Sequence, residues 1–152
     1  MQPLATHLWF PTQARQAAEW YASLVPGSRV RNTTTLHDTP SGNAEVVSFE
    51  LAHRPFMAIS AGPLFTFNPS ISFHVRLRAK HEVDALWGHL AEGGRALMPL
   101  DRYPFNERFG WIQDKYGLSW QLMLAPHSEV DAAIVPALMF TERVVGKAEE
   151  AL

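Results

Sequence analysis

An α+β fold of two βαβββ modules, forming a curved mixed sheet around a cavity, is predicted by three features of this 152-residue sequence. The order strand, helix, strand, strand, strand can be read twice along the chain. Each copy has a His on its first strand and a Trp on the following helix, and the spacing from His7 to Trp20 equals that from His74 to Trp87. The stretch Phe109 to Leu124 reads as a hairpin around the turn Asp114-Lys115-Tyr116-Gly117. Its second strand puts Trp120, Leu122 and Leu124 on one face and Ser119, Gln121 and Met123 on the other. A strand so divided suits a sheet with helices on one side and a cavity on the other.

The elements follow in order. Ala5 to Phe10 is a short apolar run stopped by Pro11, and reads as a strand. Thr12 is placed to cap a helix over 13–24, in which Ala14, Ala17, Ala18, Tyr21 and Leu24 recur at helical spacing. Strands are expected over 28–36, 44–51 and 56–61, separated by the turn cluster 37–43 and the short connection His53-Arg54-Pro55. Residues 62–69, with two Pro and two Phe, form a linker. Ile71 to Leu77 alternates cleanly, with Ile71, Phe73, Val75 and Leu77 opposite Ser72, His74 and Arg76. A helix over 80–91 carries the stripe Val83, Leu86, Trp87, Leu90 and stops at Gly93-Gly94. A strand over 96–100 and a loop over 101–108 lead into the hairpin. From Ser128 the spacing of Val130, Ile134, Leu138, Met139, Val144 and Val145 predicts a C-terminal helix, kinked or restarted at Pro136. Its stripe would cover its own sheet or a second subunit. The expected organisation is one domain over 1–125, made of modules 5–61 and 70–124, followed by a helical extension over 126–152.

Composition narrows the function. The absence of Cys excludes disulfides, thiolate nucleophiles and iron–sulfur clusters. A formal net charge of −2 with no basic run argues against nucleic acid. No apolar run approaches the ~20 residues a membrane helix needs. Met1-Gln2-Pro3-Leu4 lacks signal-peptide character. A cytoplasmic protein with a small-molecule ligand is the expectation.

The segments L-W-F (8–10), A-E-W-Y (18–21), F-M-A-I-S-A-G-P (56–63), F-N-P-S-I-S-F (67–73), V-D-A-L-W (83–87), A-E-G-G (91–94) and G-W-I-Q-D-K-Y-G-L-S-W-Q-L (110–122) occur in order with suitable gaps. Together they resemble the PhnB-like branch of the glyoxalase/bleomycin-resistance/dioxygenase family, the vicinal oxygen chelate superfamily. The resemblance implies paired βαβββ modules around a cavity, and usually a homodimer. Members of the branch often carry the label 3-demethylubiquinone-9 3-methyltransferase. The residues give that label no support, because a nucleotide-type methyl donor is usually held by a glycine-rich strand-to-helix turn. Here the only Gly pair, Gly93-Gly94, follows a helix.

The resemblance also implies a site. Metal-using members of the superfamily take ligands from the first and last strands of each module. Carried over by position, these are His7 and His74, then Ala58 and Gln121. An amide replaces the usual carboxylate and a methyl group replaces the fourth ligand. The set His7, His74, Gln121 would hold one divalent metal (Zn, Mn, Ni or Fe) more weakly than a carboxylate site. Alternation agrees for His74 and Gln121, which lie off the apolar stripes of their strands. Trp9, Ser60, Phe67, Ser72, Arg76 and Trp111 are the expected ligand-binding residues. Glu45, Glu50 and Asp114 are available as a general base, with no spacing that singles one out, and Ser119 has no base beside it. Two functions compete. One is a metal-dependent enzyme, a lyase, isomerase or dioxygenase, that polarises vicinal oxygens of a small substrate. The other is a metal-free protein that sequesters a small molecule, as bleomycin-resistance relatives do. A homodimer with an unused cavity is the bland alternative.

Overall fold

The computed structural model describes residues 5–151. The N-terminal tetrapeptide and Leu152 lie outside the described residues. The first module comprises β1 (Thr6–Phe10), α1 (Ala14–Leu24), β2 (Arg29–Thr39), β3 (Gly42–Leu51) and β4 (Arg54–Ser60). The second comprises β5 (Ile71–Leu77), α2 (Lys80–Ala91), β6 (Arg95–Tyr103), β7 (Asn106–Gln113) and β8 (Ser119–Leu124). The βαβββ order therefore occurs twice, as expected. The strands form two mixed sheets, β1-β4-β3-β2 and β6-β7-β8-β5-β9. In each, the module's first and last strands run parallel and side by side.

The extra strand corrects the reading of the tail. β9 (Ala132–Leu138) pairs antiparallel with β5, and among the described residues only two short 3₁₀ turns, Glu142–Val144 and Glu149–Ala151, follow it. Ile134 and Leu138 are four apart, a spacing that fits both a helix face and every second residue of a strand. Between β5 and solvent the strand reading prevails, because Ala132 and Ile134 enter the core. Pro136 is tolerated there because β9 is an edge strand. The predicted loop 101–108 is likewise mostly strand, in the β6–β7 hairpin.

One core joins the modules. Ala14, Ala17, Ala18 and Tyr21 of α1 and Val83, Leu86 and Leu90 of α2 are buried in it with the inner faces of both sheets. Phe56 meets Phe73 with ring centroids 5.4 Å apart, and Trp120 meets both Phe73 and Tyr21. Gln13, not Thr12, occupies the N-cap position of α1, and its side chain makes no capping bond. The first helical N–H, that of Ala14, donates to Ser60 Oγ at 3.0 Å, so β4 supplies the missing acceptor. Gly93 ends the second helix in the left-handed conformation that glycine favours (φ 74°), and Gly94 is required for space. A Cβ on Gly94 would lie 2.3 Å from Leu90 O and 2.5 Å from Gln113 O.

Asp114 ties the β7–β8 turn to the first module. Its Oδ2 accepts Tyr21 O–H at 2.7 Å and Trp120 Nε1–H at 2.8 Å. Its Oδ1 accepts the backbone N–H groups of Tyr116 and Leu118 at 2.8 and 3.1 Å. Burial raises the carboxyl pKa, and the four donors pull it back.

Candidate functional site

The outer face of the second sheet, away from α2, gathers the polar residues that alternation had placed there. Parallel pairing sets His74 beside Gln121 and Ser72 beside Ser119. Antiparallel pairing sets Trp111 beside Gln121. Opposite residues point to the same side of a sheet, so Ser72, His74, Arg76, Trp111 and Gln121 share one surface. β9 borders it with Val135, the neighbour of His74. Gln121 Nε2 donates to Ser72 Oγ at 2.9 Å. Ser72 is buried, His74, Gln121 and Trp111 are half-buried, and Arg76 is exposed.

Two buried polar atoms on this face have no partner among the described residues: Trp111 Nε1 and Ser119 Oγ. Burial lowers the His74 pKa, the Arg76 charge lowers it further, and a hydrogen bond to Gln121 acts in the opposite direction. The imidazole is therefore neutral near pH 7, with one donor and one acceptor nitrogen. Arg76 forms no ion pair among the described residues. The face thus offers donors and a guanidinium within a partly apolar setting.

The other expected residues lie elsewhere. His7 is exposed on β1, in the first sheet. It lines a hollow of about 180 Å³ with Phe67, Ile71 and Phe73. Phe73 belongs to the inner face of β5, opposite to His74, and the two imidazoles lie on strands of different sheets. Trp9 shares the outer side of β1 with His7. Its Nε1 donates to Gly62 O at 2.8 Å. Phe67 packs on Phe10 at 5.3 Å between ring centroids. Ser60 faces inward and caps α1. The register also corrects Ala58, which pairs with Leu8 in the core, while Met57 pairs with His7. Met57 is therefore the counterpart of Gln121. Its place was not readable because Phe56, Met57, Ala58 and Ile59 are all apolar and show no alternation.

Of the carboxylates considered as bases, Glu50 is clasped by Arg29, at 2.8 Å, and by Arg31. Asp114 is committed to its four donors. Glu45 is half-buried and pairs across the ladder with Ser60. None lies on the His74 face. Among the described residues no group of three His, Cys, Asp or Glu side chains is arranged to hold a metal. His74 and Gln121 alone leave a divalent ion short of protein ligands, so one chain does not by itself fit the metal the superfamily often uses.

Over residues 2–123 the sequence matches the family described as 3-demethylubiquinone-9 3-methyltransferase. A PhnB protein from Bacillus cereus, described with the same methyltransferase label, is 36% identical. The match covers 82% of this chain and 100% of that one, with a TM-score of 0.75. A protein from Pseudomonas aeruginosa is 22% identical, covering 82% and 98%, with a TM-score of 0.69. The fosfomycin resistance protein FosX from Listeria monocytogenes is 12% identical, covering 82% and 93%, with a TM-score of 0.59. The last two are likenesses of fold alone. No match is found among curated proteins. No helix among the described residues is long and apolar enough to cross a membrane.

Proposed function

This chain belongs to the 3-demethylubiquinone-9 3-methyltransferase family, the PhnB-like branch of the glyoxalase/bleomycin-resistance/dioxygenase superfamily, and on that premise we propose that it binds a small molecule on the outer face of β5, β7 and β8 without a metal. The observation that carries the reading is the gathering of Ser72, His74, Trp111 and Gln121 on one face, with Gln121 next to both His74 and Trp111. His74 and Gln121 supply polar contacts, Arg76 offers a charge at the margin, and Trp111, Met123 and Val135 form the apolar ground. This mixture of an apolar wall with a few convergent polar groups is what a small-molecule site requires. The face is open in a single chain, and a second copy in a homodimer is its proposed cover.

The second reading is the metal-dependent enzyme, and the neutral imidazole of His74 is the observation in its favour. It needs a third ligand, and His7 of a second copy is the candidate. The test begins with protein purified without a His tag. The binding reading expects no stoichiometric metal and no thermal shift with Zn, Mn, Ni or Fe(II). It also expects a small molecule, released on denaturation and seen by mass spectrometry, that is lost in Trp111→Phe and Gln121→Leu. Stoichiometric metal that disappears in both His7→Ala and His74→Ala would replace it with the enzyme reading.

A further inference from the structure

We propose a second, separate binding site for a small planar aromatic carboxylate in the hollow between β1, the 62–69 connection and the β7–β8 turn. The hollow measures about 300 Å³, at the lower end of ligand-sized sites. Its walls are Trp9, Phe10, Phe67 and Tyr116, with Phe65 at the rim. The rings hold one another edge-on: Trp9 and Phe65 at 5.0 Å, Phe10 and Phe67 at 5.3 Å, Phe10 and Tyr116 at 5.8 Å. The Trp9 Nε1 bond to Gly62 O fixes the indole further. Such walls are preorganised, so a flat ring settling against them in the hollow would cost little ordering. Phe65 remains 58% exposed, an apolar surface that a ligand would cover.

Charge selects the anion. Lys115 lines the hollow, and no Asp or Glu does. Its ammonium lies 4.2 Å from the Trp20 ring centroid and 5.4 Å from that of Tyr116. Among the described residues it has no carboxylate partner. The two rings place the cation without neutralising it. A one- or two-ring aromatic acid would set its ring among the aromatic walls and its carboxylate on Lys115. This site shares no residue with the His74 face and does not depend on the reading given for that face.

The test titrates 1-naphthoate into the full-length protein, read by tryptophan fluorescence and backbone amide shifts, with 1-naphthalenemethanol as the uncharged control. Naphthoate should bind saturably, about ten-fold more tightly than the alcohol, as expected for one charge-assisted contact. Lys115→Gln should erase that preference and leave the alcohol unchanged. Phe67→Leu should weaken both. Amide shifts should cluster at residues 9–13, 65–67 and 115–117. No saturation in the millimolar range, or a preference that survives Lys115→Gln, overturns the proposal. So does a hollow closed by a second copy, seen as a dimer that Phe65→Ala dissociates and naphthoate cannot enter.

Discussion

Gln121 stands directly across the parallel β5–β8 ladder from His74, as Met57 stands across β1–β4 from His7. The two modules thus share a geometry but differ in chemistry: one pair is polar, and the other joins a His to a thioether.

That pairing sets the behaviour of His74. Burial and the Arg76 charge hold its pKa below the ordinary 6.5, while Gln121 acts against them. The folded state therefore favours the neutral ring. Its contribution to stability is present above pH 6.5 and is lost as pH falls toward the folded value. An NMR titration should give a midpoint below 6.5. Arg76→Gln should raise it and Gln121→Leu lower it further. A midpoint unmoved by Arg76→Gln would remove the electrostatic coupling claimed for this face.

Asp114 should matter more for stability than any residue of the candidate site. Each carboxylate oxygen accepts two donors, so an amide in its place turns an N–H toward an N–H or O–H. Asp114→Asn should cost about 2–4 kcal/mol in denaturant unfolding. The pH dependence has a definite sign. The folded pKa is raised above 3.8, so the folded state binds the proton more readily than the unfolded chain. Stability is lost as pH rises from 3.8 through the folded value, and is level above it. The advantage of wild type over the Asn variant should shrink across that window. An advantage that grows with pH would contradict the burial of this carboxyl.

Gly94 tests the packing between α2 and the β7–β8 turn. Its backbone has no positive φ, so the demand for glycine is purely one of space. The atoms a Cβ would meet first are backbone carbonyl oxygens, which cannot rotate away. Gly94→Ala should cost about 3 kcal/mol. Gly88 has open space around its Cβ position, and Gly88→Ala should stabilise α2 by about 0.5–1 kcal/mol. Equal effects at the two positions, measured by urea unfolding, would refute the steric argument.

The doubled βαβββ order was legible because strong alternation in 71–77 and 109–124 and clear helical stripes in both helices are local signals. The polar face of β5 and β8 was legible for the same reason, since Ser72, His74 and Gln121 interrupt apolar runs. What lay hidden depended on pairing. Nothing local says that Ser60 turns inward to cap a helix, or that Asp114 answers Tyr21, 93 positions away. The relation of His7 to His74 was lost for the same reason, because it depends on how two separate sheets meet.

The tail offers the sharpest discrimination between the two periodicities. As a strand, β9 carries Ile134 into the core at 2% exposure, beside Val75 on β5. Ile134→Ala should then cost about 2–4 kcal/mol, because it removes buried methyl groups and leaves a cavity. Val135, one position on, lies on the opposite face, so Val135→Ala should cost less than half as much. A docked helix would instead make positions 130, 134 and 138 respond together. Val130, just before β9, is 52% exposed and Leu138, at its end, is 63% exposed, so Val130→Ala and Leu138→Ala should each change stability by less than about 0.5 kcal/mol. Comparable losses at all three positions would return the tail to a helix and leave β5 without its outer neighbour.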